Sequence, residues 1–482
     1  MNRKTLGIPD SINLLIILVL GLALKLIFGI QKDLSNDEIF SIYHAQFNLQ
    51  ELFRELSTGN NPPFFEGLLH FWIKLFGIGS FSARFPSLIF SVFSSLLVYH
   101  IANFISDKNQ KIGLLACLLF TLSSFYVDLQ IESRAYSLMT CLILFNSYAF
   151  INLIQRNNEK WWATCWIFAS AIGYYTHFFT FWISIVQMIF LIIHFRKINL
   201  KIFVIGAVIS GILFSPYLSI LWNRFTDTEE SGTWVKAASL NSFYFIIWQF
   251  CNSPLNAILF LSGFIGFSIV SVKSKNILHQ YISLWFWIPF GVMFFISLPH
   301  KLSIPMFTER YVSFVFPAFF IGISIISIQL KSILQKKFLN YLPMICILLM
   351  IVSLKPKPSK NVFLETTKES LKNWKTNSVI LQPYYGAFSY LYYNEPETFK
   401  KFATSNIYDH MENQLKEKNI FTTRMRSLKY LKPSSSIVFI KGEVSRNDEI
   451  HLVDSFLKSN EYILSKQKLL EGKNFQVDVY TK

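Results

Sequence analysis

For its first 354 residues the chain alternates long apolar runs with short polar connectors. A helix needs about 20 apolar residues to cross the hydrocarbon of a bilayer. The pattern predicts about 11 membrane-spanning helices, near residues 11–30, 82–104, 112–127, 135–155, 161–177, 178–195, 200–222, 254–272, 281–298, 311–329 and 338–354. The run from Leu14 to Ile30, broken only by Lys25, is too long for the core of a cleavable signal and is read as a retained first span. After Leu354 the pattern changes. Lys355-Pro356-Lys357-Pro358 reads as a stiff linker. Strand-like runs follow at 378–381, 436–440 and 475–480, with a helix-like run from Asp448 to Leu457. The predicted fold is therefore an α-helical polytopic membrane domain, residues 1–354, followed by a small extracytoplasmic α/β domain, residues 355–482.

The connectors predict the orientation. With the N-terminus in the cytoplasm, the cytoplasmic connectors carry Arg3, Lys4, Lys108, Lys111, Arg156, Lys160, Arg196, Lys197, Lys201, Lys273, Lys275, Lys331, Lys336 and Lys337. Short cytoplasmic loops favour Lys and Arg, so this arrangement obeys the charge rule at each such loop. Most acidic residues then fall outside: Asp37, Glu38, Glu51, Glu55, Glu66, Asp128, Glu132, Asp227, Glu229, Glu230 and Glu309. The long first outer loop, about 31–81, contains amphipathic segments at 49–56 and 64–76 that are expected to lie along the interface. The segment from Trp222 to Gln249 mixes charges with aromatics in a similar way.

Composition agrees with a membrane protein. Of 482 residues, 52% are hydrophobic and 15% charged, and 50 are Phe. The mean hydropathy is +0.38. A disordered chain, a small disulfide-stapled domain and an ordinary soluble enzyme are excluded. The net charge of +16 is dispersed: residues 1–354 carry 24 Lys and Arg against 15 Asp and Glu, and the remainder 21 against 14. With no recognition motif beside it, this basicity does not predict nucleic-acid binding. The five cysteines lie in or beside apolar runs without CxxC spacing and imply neither a disulfide framework nor a zinc site.

Charged residues near hydrocarbon are costly unless they serve a site or snorkel. Five clusters fall at the predicted outer ends of spans. Asp37-Glu38 is a pair of adjacent carboxylates, although Ser35-Asn36-Asp37-Glu38 also reads as a helix start. Asn60-Asn61-Pro62-Pro63 is a rigid turn that presents Asn61 to a ligand or simply kinks the loop. Glu132 and Arg134, with Tyr136 and Asp128, stand at the mouth of the fourth span. Arg134 offers a planar fork suited to phosphate, or a local ion pair. His177 follows Tyr174-Tyr175-Thr176 and reads either as a packing residue or as a ligand. Glu309-Arg310-Tyr311 opens the tenth span, with His300 and Lys301 upstream, and reads as a cationic headgroup site or an interfacial anchor.

Carboxylates and cations at one lipid-headgroup level suit a polyprenyl-phosphate that carries a sugar. Arg134, Arg310 or Lys301 would meet the phosphate, and a carboxylate would take the proton of an attacking acceptor hydroxyl. Lipid phosphate leaves as a stable anion, so no acid partner of the glycosidase kind is needed. The rival expectation is a lipid-linked glycan flippase or transporter, which usually carries midplane polar residues and repeated halves. A glycan polymerase or ligase is a third.

The same residues resemble the integral-membrane GT-C glycosyltransferases, specifically bacterial relatives of protein O-mannosyltransferases and lipid A aminoarabinose transferases. The resemblance rests on Asp37-Glu38, Asn61-Pro62-Pro63, Ser82-Ala83-Arg84-Phe85-Pro86-Ser87, Glu132-Ser133-Arg134-Ala135-Tyr136-Ser137-Leu138, Tyr175-Thr176-His177-Phe178 and Arg310-Tyr311. It is good over residues 30–190, thinner to 330 and absent beyond. It implies that Asp37 is the catalytic base with Glu38 beside it, and that Arg134 and Arg310 contact phosphate. It also implies a substrate pocket near Asn61, Glu132, Tyr136 and His177. Where the family often has His before the Pro-Pro pair, this chain has Asn61. Some members use a divalent cation, for which Asp37, Glu132 and His177 are the candidate ligands. The implied setting is the bacterial inner membrane, with a polyprenyl-phosphate sugar donor and an extracytoplasmic glycan, lipid or protein acceptor.

Overall fold

The computed structural model describes residues 10–29, 32–58, 62–155, 159–231, 235–300, 303–334, 340–355, 378–382, 384, 386–401, 407–431, 435–441, 447–469 and 476–482. Asn61 and Lys301 lie outside the described residues, as does the linker from Pro356. The chain forms two compact units. One comprises Met1–Ile30, Leu56–Phe65 and Arg84–Lys357. The other comprises Gln31–Glu55, Glu66–Ala83 and Pro358–Lys482.

The first unit is helical. Among the described residues, seven helices are long and apolar enough to cross a bilayer: Ser11–Gly29, Ser80–Ile105, Ala135–Ile154, Lys201–Asn223, Pro254–Lys273, Ile277–Ile296 and Glu309–Leu330. Shorter apolar helices occupy Gln110–Thr121, Phe178–Ile193 and Leu342–Val352, and another helix covers Glu159–Thr176. Among the described residues, each apolar run of the sequence is thus largely helical. Twelve residues at Gln110–Thr121 rise only about 18 Å, short of a full crossing. That helix breaks at Leu122-Ser123 and resumes as Ser124–Leu129. Asn252 fills the break. Its amide donates to the Leu122 carbonyl at 2.8 Å and accepts from the Ser124 N–H at 2.7 Å, and its own backbone is left-handed at φ 68°. Those contacts satisfy backbone groups that hydrocarbon leaves without water.

Burial sorts the helices. In Glu309–Leu330 the apolar window is 89% buried within the protein, whereas in Ser11–Gly29 and Lys201–Asn223 it is 22%. The first is a central helix; the other two present residues such as Leu15, Val19, Val208 and Ile212 outward, as lipid-facing helices do. Phe supplies the central packing. Phe250 stacks on Phe316 at 3.7 Å and 7°, and Phe286 meets Phe319 at 5.0 Å. Such pairs add about 0.5–1.5 kcal/mol beyond area burial. One polar network pins four helices inside this apolar mass. Gln187 donates to Asn146 at 2.7 Å and accepts from the Trp166 indole at 2.9 Å, Asn146 donates to Ser170 at 2.8 Å, and Tyr281 donates to Ser147 at 3.0 Å.

The second unit holds a five-stranded sheet of order β2-β1-β3-β5-β4. The strands are β1 (Ser378–Leu381), β2 (Ile420–Thr422), β3 (Ser436–Lys441), β4 (Ile463–Leu469) and β5 (Gln476–Thr481). β1 runs parallel to β2 and β3, while β5 is antiparallel to β3 and β4. The helix Asn447–Ser459 covers one face through Val453 and Leu457, which join Ile437, Phe439 and Tyr480 in a core. The unit also takes in most of the first outer loop, which the sequence pattern groups with the spans. Tyr43 packs against Phe388 at 5.3 Å and Phe399 at 5.4 Å, and the Leu34 N–H donates to the Tyr393 hydroxyl. Ser389 hydrogen-bonds Asn36, and the Tyr392 hydroxyl donates to the Ile78 carbonyl at 2.8 Å. Aromatic burial between segments more than 300 residues apart holds this arrangement, and no local sequence period reports it.

Candidate functional site

The carboxylate pair sits on the helix Asn36–Ala45 of the second unit. Ser35 is its N-cap. The Ser35 hydroxyl accepts from the Glu38 N–H at 3.3 Å, and the Glu38 carboxylate accepts from the Ser35 N–H at 2.8 Å. This reciprocal capping box satisfies two backbone donors at the helix start. The two carboxylates consequently part company: Glu38 is 1% exposed and tied into the cap, whereas Asp37 is exposed on the first turn. The helix start read from Ser35-Asn36-Asp37-Glu38 is therefore present in the structure.

A second helix, Phe64–Phe76, grips the one bearing Asp37. Glu66 accepts from the Ser41 hydroxyl at 2.9 Å, and His70 Nδ1 donates to the Ala45 carbonyl at 2.9 Å. Glu66 and His70 are one turn apart, as are Ser41 and Ala45, so the clasp follows helical spacing. Asp37 is one turn before Ser41. The clasp thus fixes the rotation of the helix that carries Asp37, and all four clasping residues are buried.

The first unit carries the other candidates. Arg310 pairs with Glu132 at 3.4 Å, with both side chains partly exposed. Arg134 is the extended N-cap of the helix Ala135–Ile154, and its N–H donates to the Glu132 carbonyl at 2.7 Å. The helix itself is tied down where Ser137 donates to the Ser87 carbonyl at 2.7 Å. His177 lies in the turn between Glu159–Thr176 and Phe178–Thr180. It packs against Tyr136 at 5.6 Å, Phe179 at 5.2 Å and Tyr311 at 6.0 Å. Its Nδ1 accepts from the Phe179 N–H at 3.3 Å. Glu132 with Arg310 thus forms one contact group, and His177 with Tyr136 and Tyr311 another. Tyr311 follows Arg310, and Tyr136 lies two residues beyond Arg134.

The backbone is shaped to hold these groups. A Cβ on Gly173 would sit 2.4 Å from Thr180 Cγ2, so the turn around His177 closes more tightly than alanine permits. Thr180 locks it by donating to the Gly173 carbonyl at 2.9 Å and the His177 carbonyl at 2.7 Å. The Glu309-Arg310 start is set by Ser297, whose hydroxyl accepts from the N–H groups of Met306 at 2.9 Å and Phe307 at 3.0 Å.

One residue in the sequence motifs acquires a role that its spacing does not reveal. Arg84, nearly buried, donates to the Gly29 carbonyl at 2.9 Å and so caps the C-terminal end of the first span, where a cation also meets the negative end of the helix dipole. Gln130 is wholly buried, and neither polar atom of its amide hydrogen-bonds a described residue.

Among the described residues, no three His, Cys, Asp or Glu side chains come together in a way that could hold a metal ion.

Residues 60–220, about a third of the chain, match the family described as dolichyl-phosphate-mannose-protein mannosyltransferase. No curated protein matches the chain in sequence. Solved structures share the fold. ArnT from Cupriavidus metallidurans bound to undecaprenyl phosphate superposes with a TM-score of 0.56 at 11% identity, covering 97% of each chain. The archaeal oligosaccharyltransferase AglB from Archaeoglobus fulgidus, in complex with an inhibitory peptide and a dolichol-phosphate, gives 0.56 at 10% identity, covering 97% of this chain and 74% of its own. An oligosaccharyltransferase from Archaeoglobus fulgidus in complex with Zn and sulfate gives 0.55 at 10% identity, covering 89% of this chain and 67% of its own. At such identities the likeness establishes the fold. With the family match, it bears out the resemblance to GT-C membrane glycosyltransferases.

Proposed function

We propose that this protein is a glycosyltransferase that moves a sugar from a polyprenyl-phosphate carrier to an extracytoplasmic glycan, lipid or protein acceptor. The observation that carries the reading is the coincidence of a family match over residues 60–220 with a fold shared, over 97% of both chains, with a protein that binds undecaprenyl phosphate. The chemistry of the candidate residues supports it. An exposed Asp37 on a rigidly capped helix suits a general base. Arg310 and Arg134 suit an anionic diphosphate or monophosphate headgroup.

In the proposed step the Asp37 carboxylate takes the proton of an acceptor hydroxyl. Its oxygen bonds to the anomeric carbon as the bond from that carbon to the phosphate oxygen breaks. The lipid phosphate departs as an anion stabilised by Arg134 and Arg310, and the single displacement inverts the anomeric centre. Capture of Glu38 by the helix cap leaves Asp37 as the base of choice. No step is routed through a divalent cation. The proposed setting is the bacterial inner membrane, with the N-terminus in the cytoplasm and the unit bearing Asp37 outside, because the Lys and Arg residues of short loops then lie inside.

Mass spectrometry of envelope glycans from cells lacking the gene tests the reading. The expected result is loss of one sugar substituent, with the carrier-linked sugar accumulating in the membrane. Accumulation of an intact lipid-linked precursor on the cytoplasmic side would instead identify a flippase.

A further inference from the structure

The α/β sheet of the second unit contains a charged cluster that the transfer chemistry does not use. Lys441, at the end of β3, is nearly buried, and its ammonium lies 2.6 Å from Asp478 Oδ2 and 3.7 Å from Asp454 Oδ1. Asp478, on β5, is fully buried and accepts from the Gln476 amide at 2.7 Å. The Tyr480 hydroxyl donates to Asp454 at 2.7 Å. Burial, then the hydrogen bond and charge of Asp454, push the Tyr480 phenol well above its ordinary pKa, so it remains a donor. A largely buried ion pair is a poor stabiliser, since apolar residues of like volume often do as well or better. Its presence therefore asks for another reason.

A cavity of about 400 Å³ opens over the cluster. Lys441, Asp478 and Tyr480 form its floor, and the exposed Lys458 and Gln467 stand at its rim beside Tyr462. The volume is at the lower end of the range for small-molecule sites, roughly 300–1,000 Å³. Two lysines balance two aspartates among the lining residues, so the site has no net charge to attract an ion. It offers fixed donors, fixed acceptors, an amide and two phenol rings. A β-bulge between Leu464 and Lys466 reshapes β4 at this point, as bulges do where a strand must re-aim side chains.

We propose that this cavity is a subsite for one neutral sugar residue. A pyranose presents several hydroxyls, each both donor and acceptor, around an apolar ring face. It satisfies paired carboxylate and ammonium groups without upsetting their charge balance. In the transferase reading, on which only the ligand's role depends, the bound sugar belongs to the acceptor, which makes the acceptor a glycan. Binding itself is measured without turnover.

The test uses the full chain in lipid nanodiscs with saturation-transfer NMR. The probes are a neutral methyl hexoside, a methyl N-acetylhexosaminide and a methyl hexuronide. The expected result is saturation transfer from a neutral probe with millimolar affinity, and none from the hexuronide. Lys458→Ala and Gln467→Ala, both at the exposed rim and harmless to folding, are expected to weaken binding about fivefold each, in line with the loss of one hydrogen bond. Lys441→Met is expected to abolish it, whereas Asp37→Asn leaves it unchanged. The proposal is overturned by silence from every neutral probe, by preference for the hexuronide, or by a signal that survives both rim substitutions. A signal lost in Asp37→Asn but kept in the rim variants would place the sugar elsewhere and equally defeat it. Loss of transfer activity in Asp37→Asn bears on the transferase reading alone.

Discussion

Arg310→Ala separates a phosphate contact from a structural ion pair. At 3.4 Å the Coulomb attraction between Arg310 and Glu132 is about 5 kcal/mol at an effective dielectric near 20. The Arg310 and Glu132 side chains are 31% and 19% exposed, so solvent screening and desolvation reduce the net contribution to about 1 kcal/mol or less. Removing the guanidinium should therefore lower the thermal midpoint by only about 2–4 °C, if this chain scales like a larger soluble domain. Loss of a charge-assisted hydrogen bond to a lipid phosphate is larger, roughly 1.5–3 kcal/mol, or about 10- to 150-fold in affinity. Arg310→Lys keeps the charge without the planar fork and should fall between. Native mass spectrometry in nanodiscs, titrating undecaprenyl phosphate, reads the affinity, and a melting curve on the same preparation reads the fold. Unchanged lipid affinity in Arg310→Ala would refute the phosphate role, and a midpoint falling by tens of degrees would show that the ion pair is chiefly structural.

Other residues yield independent expectations. Gly173→Ala should reduce stability and activity by driving Thr180 off the turn that holds His177. Adding Thr180→Ser, which deletes the clashing Cγ2 and keeps both hydroxyl bonds, should restore most of the loss; absence of rescue in a double-mutant melt would contradict the steric account. Gln187→Leu should destabilise by about 1–2 kcal/mol, since it strands the Trp166 indole and Asn146 carbonyl within the helical core. A detergent-unfolding midpoint equal to or above that of the parent would count against the network. Ser35→Ala should cost about 1 kcal/mol through the lost cap. It should lower turnover more than acceptor affinity, because Asp37 is on the turn that the cap fixes; equal effects on kcat and KM would argue otherwise.

The spans were readable because long apolar runs have few other uses. Even the division of 161–195 at His177 is where the chain turns. The strands at 378–381, 436–441 and 476–481 announced themselves by β-branched and aromatic content. β2 (Ile420–Thr422) is too short for a periodic signal, and β4 (Ile463–Leu469) carries Ser, Lys and Gln on an edge. The capping box before Ile39 was legible from Ser35 and Glu38. The clasp of Glu66 and His70 on Ser41 and Ala45 was not, because helix pairing depends on tertiary geometry. Nor was the helix-capping role of Arg84, whose acceptor is 55 residues away.

The most direct measurement compares envelope glycans, by mass spectrometry, in deletion cells supplied with the parent gene or with Asp37→Asn. Equal amounts of both proteins in the membrane, checked by immunoblot, make the comparison fair. The proposed base predicts that the parent gene returns the missing sugar and the substituted one does not. Full return of the sugar by Asp37→Asn would contradict it.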